Sequence, residues 1–421
     1  MCSCIISERR EATVMLLYEL KKVLVRPVNR IALLILLAVL MIVTTIAVSG
    51  VSYTESDGSS VSGAEAAAKL RQAKEQWSGY VTEDVLKKVI EENDAVNQSP
   101  EARSDDVTDN NIAYSRKQGF SDLRELINLA FSGFQSYDYY RADTVNADEV
   151  GSIYERRISS LKEWLGSDEI KDRFTDNEKE YLVRQYEKTE TPFYYTYADG
   201  WSTLLIYSST IIMVTVLAAG FLVSGIFSSE FALKADSIYF SSQYGRNRGV
   251  RSKIAAGFIL LSGIYWITIL LYTTIILLTL GAEGGSCMIQ SGMDGWKSFY
   301  NITYFQEYLL TVLGGYVGNL FILSLAMLVS AKTKSAVLAV TVPFIILFVP
   351  SFLSSVNALS EILGLLPDQL LQISYAIGAF NLYELGGKVT GAIPILFVLY
   401  LCLYAVMLPG TYRVYRKAEV K

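Results

Sequence analysis

The chain has no histidine among its 421 residues and only four cysteines, Cys2, Cys4, Cys287 and Cys402. Without histidine there is no His-based catalytic triad, no imidazole-ligated metal and no histidine proton relay. No cysteine lies between residues 55 and 199, so that long polar stretch is not a disulfide scaffold. Cys2-x-Cys4 is open to reading as a lipidation or metal signal. Its spacing matches no zinc pattern and no further ligands follow it, so it reads as incidental. A phosphate-binding Gly-x-x-x-x-Gly-Lys-Ser/Thr motif is also missing, because Gly386-Gly387-Lys388 lacks the upstream glycine. This chain is therefore not expected to hydrolyse ATP by itself.

Charge is the other scarcity. The chain carries 37 basic and 42 acidic residues, and 51% of it is hydrophobic. The charge is absent from six runs of 24 or more residues: 31–54, 200–229, 254–282, 308–331, 335–360 and 389–412. A helix needs roughly 20 apolar residues to cross the hydrocarbon layer of a bilayer, so each run is long enough. The reading is an all-α membrane protein with six transmembrane helices. Some 30 residues precede the first run, and that run is too long for the apolar core of a signal peptide.

Lysine and arginine set the orientation. Seventeen of them fall in segments 1–30, 230–253, 332–334 and 411–421, against only Lys297 and Lys388 in 283–307 and 361–388. That alternation places both termini in the cytoplasm and residues 55–199 outside it. The resulting plan is a cytoplasmic elbow (1–30), spans at 31–54 and 201–229, and a cytoplasmic helix and loop at 230–253. Further spans follow at 254–282, 308–331, 335–357 and 389–410, with external loops at 283–307 and 358–388 and a tail at 411–421.

The segment 55–199 holds 30 acids and 18 bases and reads as a compact, mainly helical extracellular domain. Ser121–Phe131, for example, places Leu123, Leu126, Ile127 and Ala130 on one helical face. Tyr53–Gly63 and Asn93–Asn111 read as polar linker or loop. Phe193-Tyr194-Tyr195-Thr196-Tyr197, followed by Trp201, suits an interfacial aromatic belt; an aromatic ligand groove is the alternative. Residues 10–26 repeat Val14, Leu17 and Leu24 near helical period. This fits either an interfacial helix ended by Pro27 or an ordinary basic flank.

Segment 230–253 begins with Glu230 and passes through an amphipathic stretch containing Phe231, Leu233, Ile238, Tyr239 and Phe240. It returns through Gly245-Arg246 to Lys253. Here the chain resembles the membrane subunits of ABC-2-type ABC transporters. In that family an acid ends helix two, a short coupling helix and a Gly-Arg or Ser-Arg turn follow, and a lysine enters helix three. Glu230, Gly245, Arg246 and Lys253 stand at matching positions. Tyr18-Glu19-Leu20-Lys21-Lys22 looks like the family's elbow helix, and Ser330-Ala-Lys-Thr-Lys334-Ser335 like its turn between helices four and five. Leu366-Pro367-Asp368-Gln369 lies where the family has short re-entrant helices, and the uncharged run Gln369–Tyr383 is 15 residues, too short to span. The resemblance does not cover residues 55–199, beyond the fact that some members carry an insertion there.

The resemblance implies a permease driven by a separate ATPase subunit that supplies ATP and Mg, with no cofactor in this chain. It also implies a second permease copy. Glu230, Lys234, Gly245, Arg246 and Lys253 are the expected coupling residues; Glu230, Lys234 and Arg246 are expected to touch the ATPase. The six runs hold no Asp, Glu, Lys or Arg for ion coupling; Glu307 stands just outside the fourth run and is not assigned that role. Gly314 and Gly318 have the spacing of close helix packing or of a flexible bend. The expected activity is export of a hydrophobic or amphipathic substrate (peptide, antibiotic or lipid-like) from a bacterial plasma membrane, with lipid as a partner and no nucleic acid. The alternative is a sensing or resistance module whose outer domain binds a peptide and signals without transport.

Overall fold

Away from water a backbone satisfies its own N–H and C=O groups most simply as a helix. The computed structural model describes residues 2–242, 244–353 and 360–418, and within them the uncharged runs are mainly helical. The side chains of Cys2 and Cys4 lie outside that description. The chain opens with α1 (Cys2–Leu24) and α2 (Pro27–Ser49). Pro27 is the first residue of α2, where a missing N–H breaks no bond and the fixed φ suits the helix.

The polar domain follows: β1 (Ser52–Thr54), β2 (Ser60–Ser62), α3 (Ala64–Glu75), β3 (Gly79–Tyr80), α4 (Glu83–Asn97), α5 (Val107–Ser115), α6 (Ser121–Phe131), α7 (Ile153–Gly166), α8 (Asp176–Glu187) and β4 (Tyr194–Tyr195). The chain then re-enters the bundle with α9 (Asp199–Ser224), turns through α10 (Ser229–Ala232) and α11 (Asp236–Ser241), and continues as α12 (Val250–Leu280) and α13 (Tyr304–Thr333). Last come α14 (Ala336–Leu353), three short helices α15 (Ser360–Leu363), α16 (Pro367–Leu371) and α17 (Ile373–Gly378), a hairpin of β5 (Leu382–Leu385) and β6 (Lys388–Gly391), and α18 (Ala392–Arg416).

Among the described residues five helices are long and apolar enough to cross a membrane: α2, α9, α12 with the turn before it, α13 and α18. The expected sixth, α14, spans 18 residues, about 27 Å at ~1.5 Å per residue, and contains Pro343 and Pro350. Residues 354–357 of that expected span lie outside the described residues. Of the apolar window of α13, 72% is buried, against 22% for α2 and for α18. Helix α13 is thus the central post, packed against α9, α12, α14, α16 and α18. Successive long helices alternate in direction, so the bundle has a domain end, beside residues 52–197, and a tail end, where α1 meets the start of α12 and the end of α18 meets α10.

Several boundaries differ from the sequence reading, each for a local reason. Helix α12 begins at Val250 rather than 254, because Lys253 is neutralised inside the protein (below). Helix α18 runs on to Arg416, with Arg413 and Arg416 in its last turn, where cations suit the helix dipole. The expected linker 53–63 is the β1–β2 hairpin, and α4 and α5 occupy much of the expected loop 93–111. The aromatic run is not a belt on the outside of the molecule. Phe193, Tyr195 and Tyr197 are buried while Tyr194 is exposed. That two-residue alternation belongs to a strand: β4 pairs with β3 and turns alternate rings into the domain core.

The domain is clamped to the bundle by buried polar groups. Lys74 pairs with Asp122 at 2.9 Å and with Asp199, at the start of α9, at 2.8 Å. Burial works against the Lys74 charge, but the two carboxylates outweigh it and hold its pKa above the usual lysine value. Arg157 has no acid partner among the described residues. It donates to the carbonyls of Trp296 (2.9 Å) and Ser298 (3.0 Å) and lies 3.9 Å from the centre of the Tyr186 ring, and its burial lowers its pKa to about 10. These bonds pin the loop before α13 to the domain. Gly200 sits where a Cβ would lie 2.0 Å from the Gly281 carbonyl oxygen, so the starts of α9 and the end of α12 approach to backbone contact.

Candidate functional site

At the tail end the segment between α9 and α12 folds back under the bundle. Glu230, on α10, is buried at 5% exposure and Lys253, on α12, at 0%. Lys253 Nζ donates to Glu230 Oε1 at 2.7 Å, to the Ile226 carbonyl at 3.0 Å and to Glu19 Oε2 at 3.2 Å. Glu230 also pairs with Lys22 and accepts from Ser229 (3.3 Å) and from the fully buried Tyr415 hydroxyl (3.2 Å). Two acids and two bases thus close a neutral cluster that ties α1, α10, α12 and α18 together. Burial pushes the Glu230 carboxyl up, but Lys253 and Lys22 prevail and hold it below the ordinary value. Rings seal the cluster: Tyr415 packs against Phe227, Phe231, Phe240 and Tyr239 with centroids 4.7 to 6.2 Å apart.

The five expected coupling residues occupy three different settings. Glu230 and Lys253 are interior and paired within the chain. Gly245 begins a five-residue π turn, Gly245–Gly249, and a Cβ there would lie 1.9 Å from the Tyr239 carbonyl oxygen; only glycine lets the turn close against α11. Arg246 donates to the carbonyls of Arg416 (2.7 Å) and Ala418 (3.3 Å) and stacks over Phe240 at 4.8 Å, stapling the tail to this turn. Lys234 alone of the five is exposed; its left-handed backbone, φ 53°, reverses the chain between α10 and α11. Of the amphipathic stretch, Phe240 is buried, whereas Leu233 and Ile238 are 71% and 74% exposed. The segment therefore has an inner face fixed by charge and aromatic packing and an outer face of two aliphatic side chains beside Lys234.

Glu19, Lys22 and Tyr415 were not singled out from the sequence as partners of Glu230 and Lys253. The only sequence signal was that Glu19-x-x-Lys22 sits among apolar residues of the elbow helix. At the other end, Gly314 and Gly318 make room for close packing rather than a bend. A Cβ at Gly314 would lie 2.2 Å from Ile373 Cδ1, and one at Gly318 2.7 Å from Leu371 Cδ2. The short helices α16 and α17 are thereby seated against the central post, and neither is long enough to span. Among the described residues no group of three or more His, Cys, Asp or Glu side chains is placed to hold a metal ion.

Together the helical bundle and its tail-end segment describe a mainly helical protein whose long apolar helices suit several membrane crossings. No family model matches the chain, and no curated protein or solved structure matches it.

Proposed function

We propose that the chain is the membrane-spanning permease subunit of an ATP-driven ABC exporter, with the tail end in the cytoplasm and residues 52–197 outside. The observation that carries this reading is the α10–α11 segment: short, fixed on its inner face, and presenting Leu233, Ile238 and Lys234 outward. Such a surface suits docking into an apolar cleft of a partner, with the lysine meeting an acidic rim. Of the Lys and Arg residues counted above, Lys234, Arg246, Lys332, Arg413 and Arg416 lie at the same end, where an anionic cytoplasmic leaflet would attract them.

In this mechanism two ATPase subunits bind ATP and Mg, close on each other and push the α10–α11 segments of two permease copies. The push enters the bundle through Glu230 and Lys253. It then reaches α1, α12 and α18 as one unit, because the cluster holds them together, and α13 receives it by direct packing. The substrate is hydrophobic or amphipathic: a peptide, an antibiotic or a lipid-like molecule. The outer domain, bonded to α9 and to the loop before α13, moves with the bundle and gates the exit.

Glu230 has a different part here from the one its position first suggested. It is an internal strut, and the contact with the ATPase belongs to Leu233, Ile238 and Lys234. The test is site-specific photocrosslinking in cells, with the reactive group placed at position 238 or, as control, at buried position 240. The reading predicts an adduct to an ATPase subunit from position 238 only. Adducts to lipid alone from position 238 would refute it.

A further inference from the structure

At the domain end, α9, α13 and α17 and the loop before α13 enclose a cavity of about 360 Å³. Its volume lies within the range of about 300–1,000 Å³ typical of small-molecule sites. Most of its wall is aliphatic and aromatic, including Leu205, Ile206, Tyr304 and Ile377, and two carboxylates, Glu307 and Asp294, stand in it. Among the described residues no lysine or arginine lines it.

Glu307 is the unusual group. It is 8% exposed and borders the cavity, yet its carboxylate makes no hydrogen bond or ion pair with any described residue. This contrasts with the tail-end cluster, where each buried acid has a lysine. A buried carboxylate without a partner is costly, and here the cavity that Glu307 borders has room for one. Asp294, an exposed residue of the lining, adds a second negative charge on the same space, and the exposed Tyr375 offers a ring face to it.

Two carboxylates are too few for a protein cage around a divalent ion, which takes 6–8 oxygens in the calcium case. The volume and the apolar wall would also be left unfilled by a single ion. An ammonium group on a small hydrophobic frame satisfies both features: the charge meets Glu307 and Asp294, and the frame fills the aliphatic and aromatic wall. We infer that this cavity is a binding site for a small hydrophobic amine, its ammonium held by Glu307 and Asp294. The inference stands on the cavity alone and does not depend on the transport reading.

Calorimetry on the full chain in detergent, with phenethylamine as probe and 2-phenylethanol as its neutral counterpart, tests it. The expected result is saturable binding of the amine, at least about tenfold weaker binding of the alcohol, and a loss of about tenfold or more in amine affinity in Glu307→Gln, tenfold being ~1.4 kcal/mol. Asp294→Asn should weaken the amine by a smaller factor. Equal binding of amine and alcohol, undiminished amine binding in Glu307→Gln, no saturable amine binding, or tighter competitive binding of Ca²⁺ would each overturn the assignment. Should Glu307→Gln fail to fold, Gly378→Trp serves instead. Gly378 lines the cavity and has open space where its Cβ would go, so the indole should fill the mouth and abolish amine binding; unchanged binding overturns the site.

Discussion

Replacing Lys253 with methionine probes the tail-end cluster most directly. The methionine keeps an unbranched apolar stem and removes only the charged head. In the native protein the Lys253 ammonium is fully buried, and all three of its hydrogens are used: Glu230 at 2.7 Å, the Ile226 carbonyl at 3.0 Å and Glu19 at 3.2 Å. In Lys253→Met, Glu230 still has Lys22, but Glu19 is left at 9% exposure with no cation. Removing one partner of a buried pair costs about 3–5 kcal/mol. The surviving Lys22 contact places this case near the lower end, at about 3 kcal/mol. At about 2 °C per kcal/mol for a large domain, thermal unfolding of the full chain in detergent should fall by roughly 6 °C. Glu19→Gln should destabilise the wild type, but in the Lys253→Met background it removes the orphaned acid. There it should recover part of the loss, a coupling of about 1–3 kcal/mol. Melting of Lys253→Met within about 1 °C of wild type, or equal losses from Glu19→Gln in both backgrounds, would refute the account of the cluster.

Other consequences follow from the same geometry. Because Glu230 titrates below its ordinary value of 4.5, its contribution to stability is fully present above pH 4.5 and is lost as pH falls through its lowered folded value. A melting-temperature profile of the wild type should therefore drop more steeply below pH 4.5 than that of Glu230→Gln, and parallel profiles would contradict this. Gly245→Ala must displace the Tyr239 carbonyl, 1.9 Å from the new carbon; it should cost about 1–3 kcal/mol and release the tail from Arg246, read as faster proteolysis after Arg416. Arg157→Met should leave the Trp296 carbonyl without its donor and the Ser298 carbonyl with only the 3.3 Å bond from Gln290 Nε2, costing about 1–3 kcal/mol for the buried group left unpaired. Its signature is faster proteolysis of the loop before α13, with the tail-end turn unaffected.

The long helices were legible because missing charge over 24 or more residues is a one-dimensional signal that needs no partner. Glu230 and Lys253 were also legible, as the charged residues that bracket a short amphipathic stretch. Their environment was not, since Glu19 lies 234 residues from Lys253 and Tyr415 lies 185 from Glu230. Without those partners Glu230 read as a charge facing another subunit and Lys253 as the lysine that enters the third helix, whereas the fold encloses both and pairs them. Likewise Phe193, Tyr195 and Tyr197 carried a two-residue period, but the run is rich enough in tyrosine that composition pointed to an interface. Only the pairing of β3 with β4 turns those rings inward. Glu307 fell just outside an uncharged run and so looked interfacial; that run begins one turn late, and the acid belongs to the first turn of α13.

We propose that this chain couples to an ATPase through the exposed face of α10–α11, which is tested by ATP hydrolysis by the full chain purified from its native membrane, for wild type and for the double variant Leu233→Asp, Ile238→Asp. Both side chains are exposed, so the variant should melt at the wild-type temperature. The account predicts ATPase activity that co-purifies with the wild type and is lost with the variant. Equal ATPase activity from both, or substrate export by the wild-type chain with no ATPase present, would contradict it.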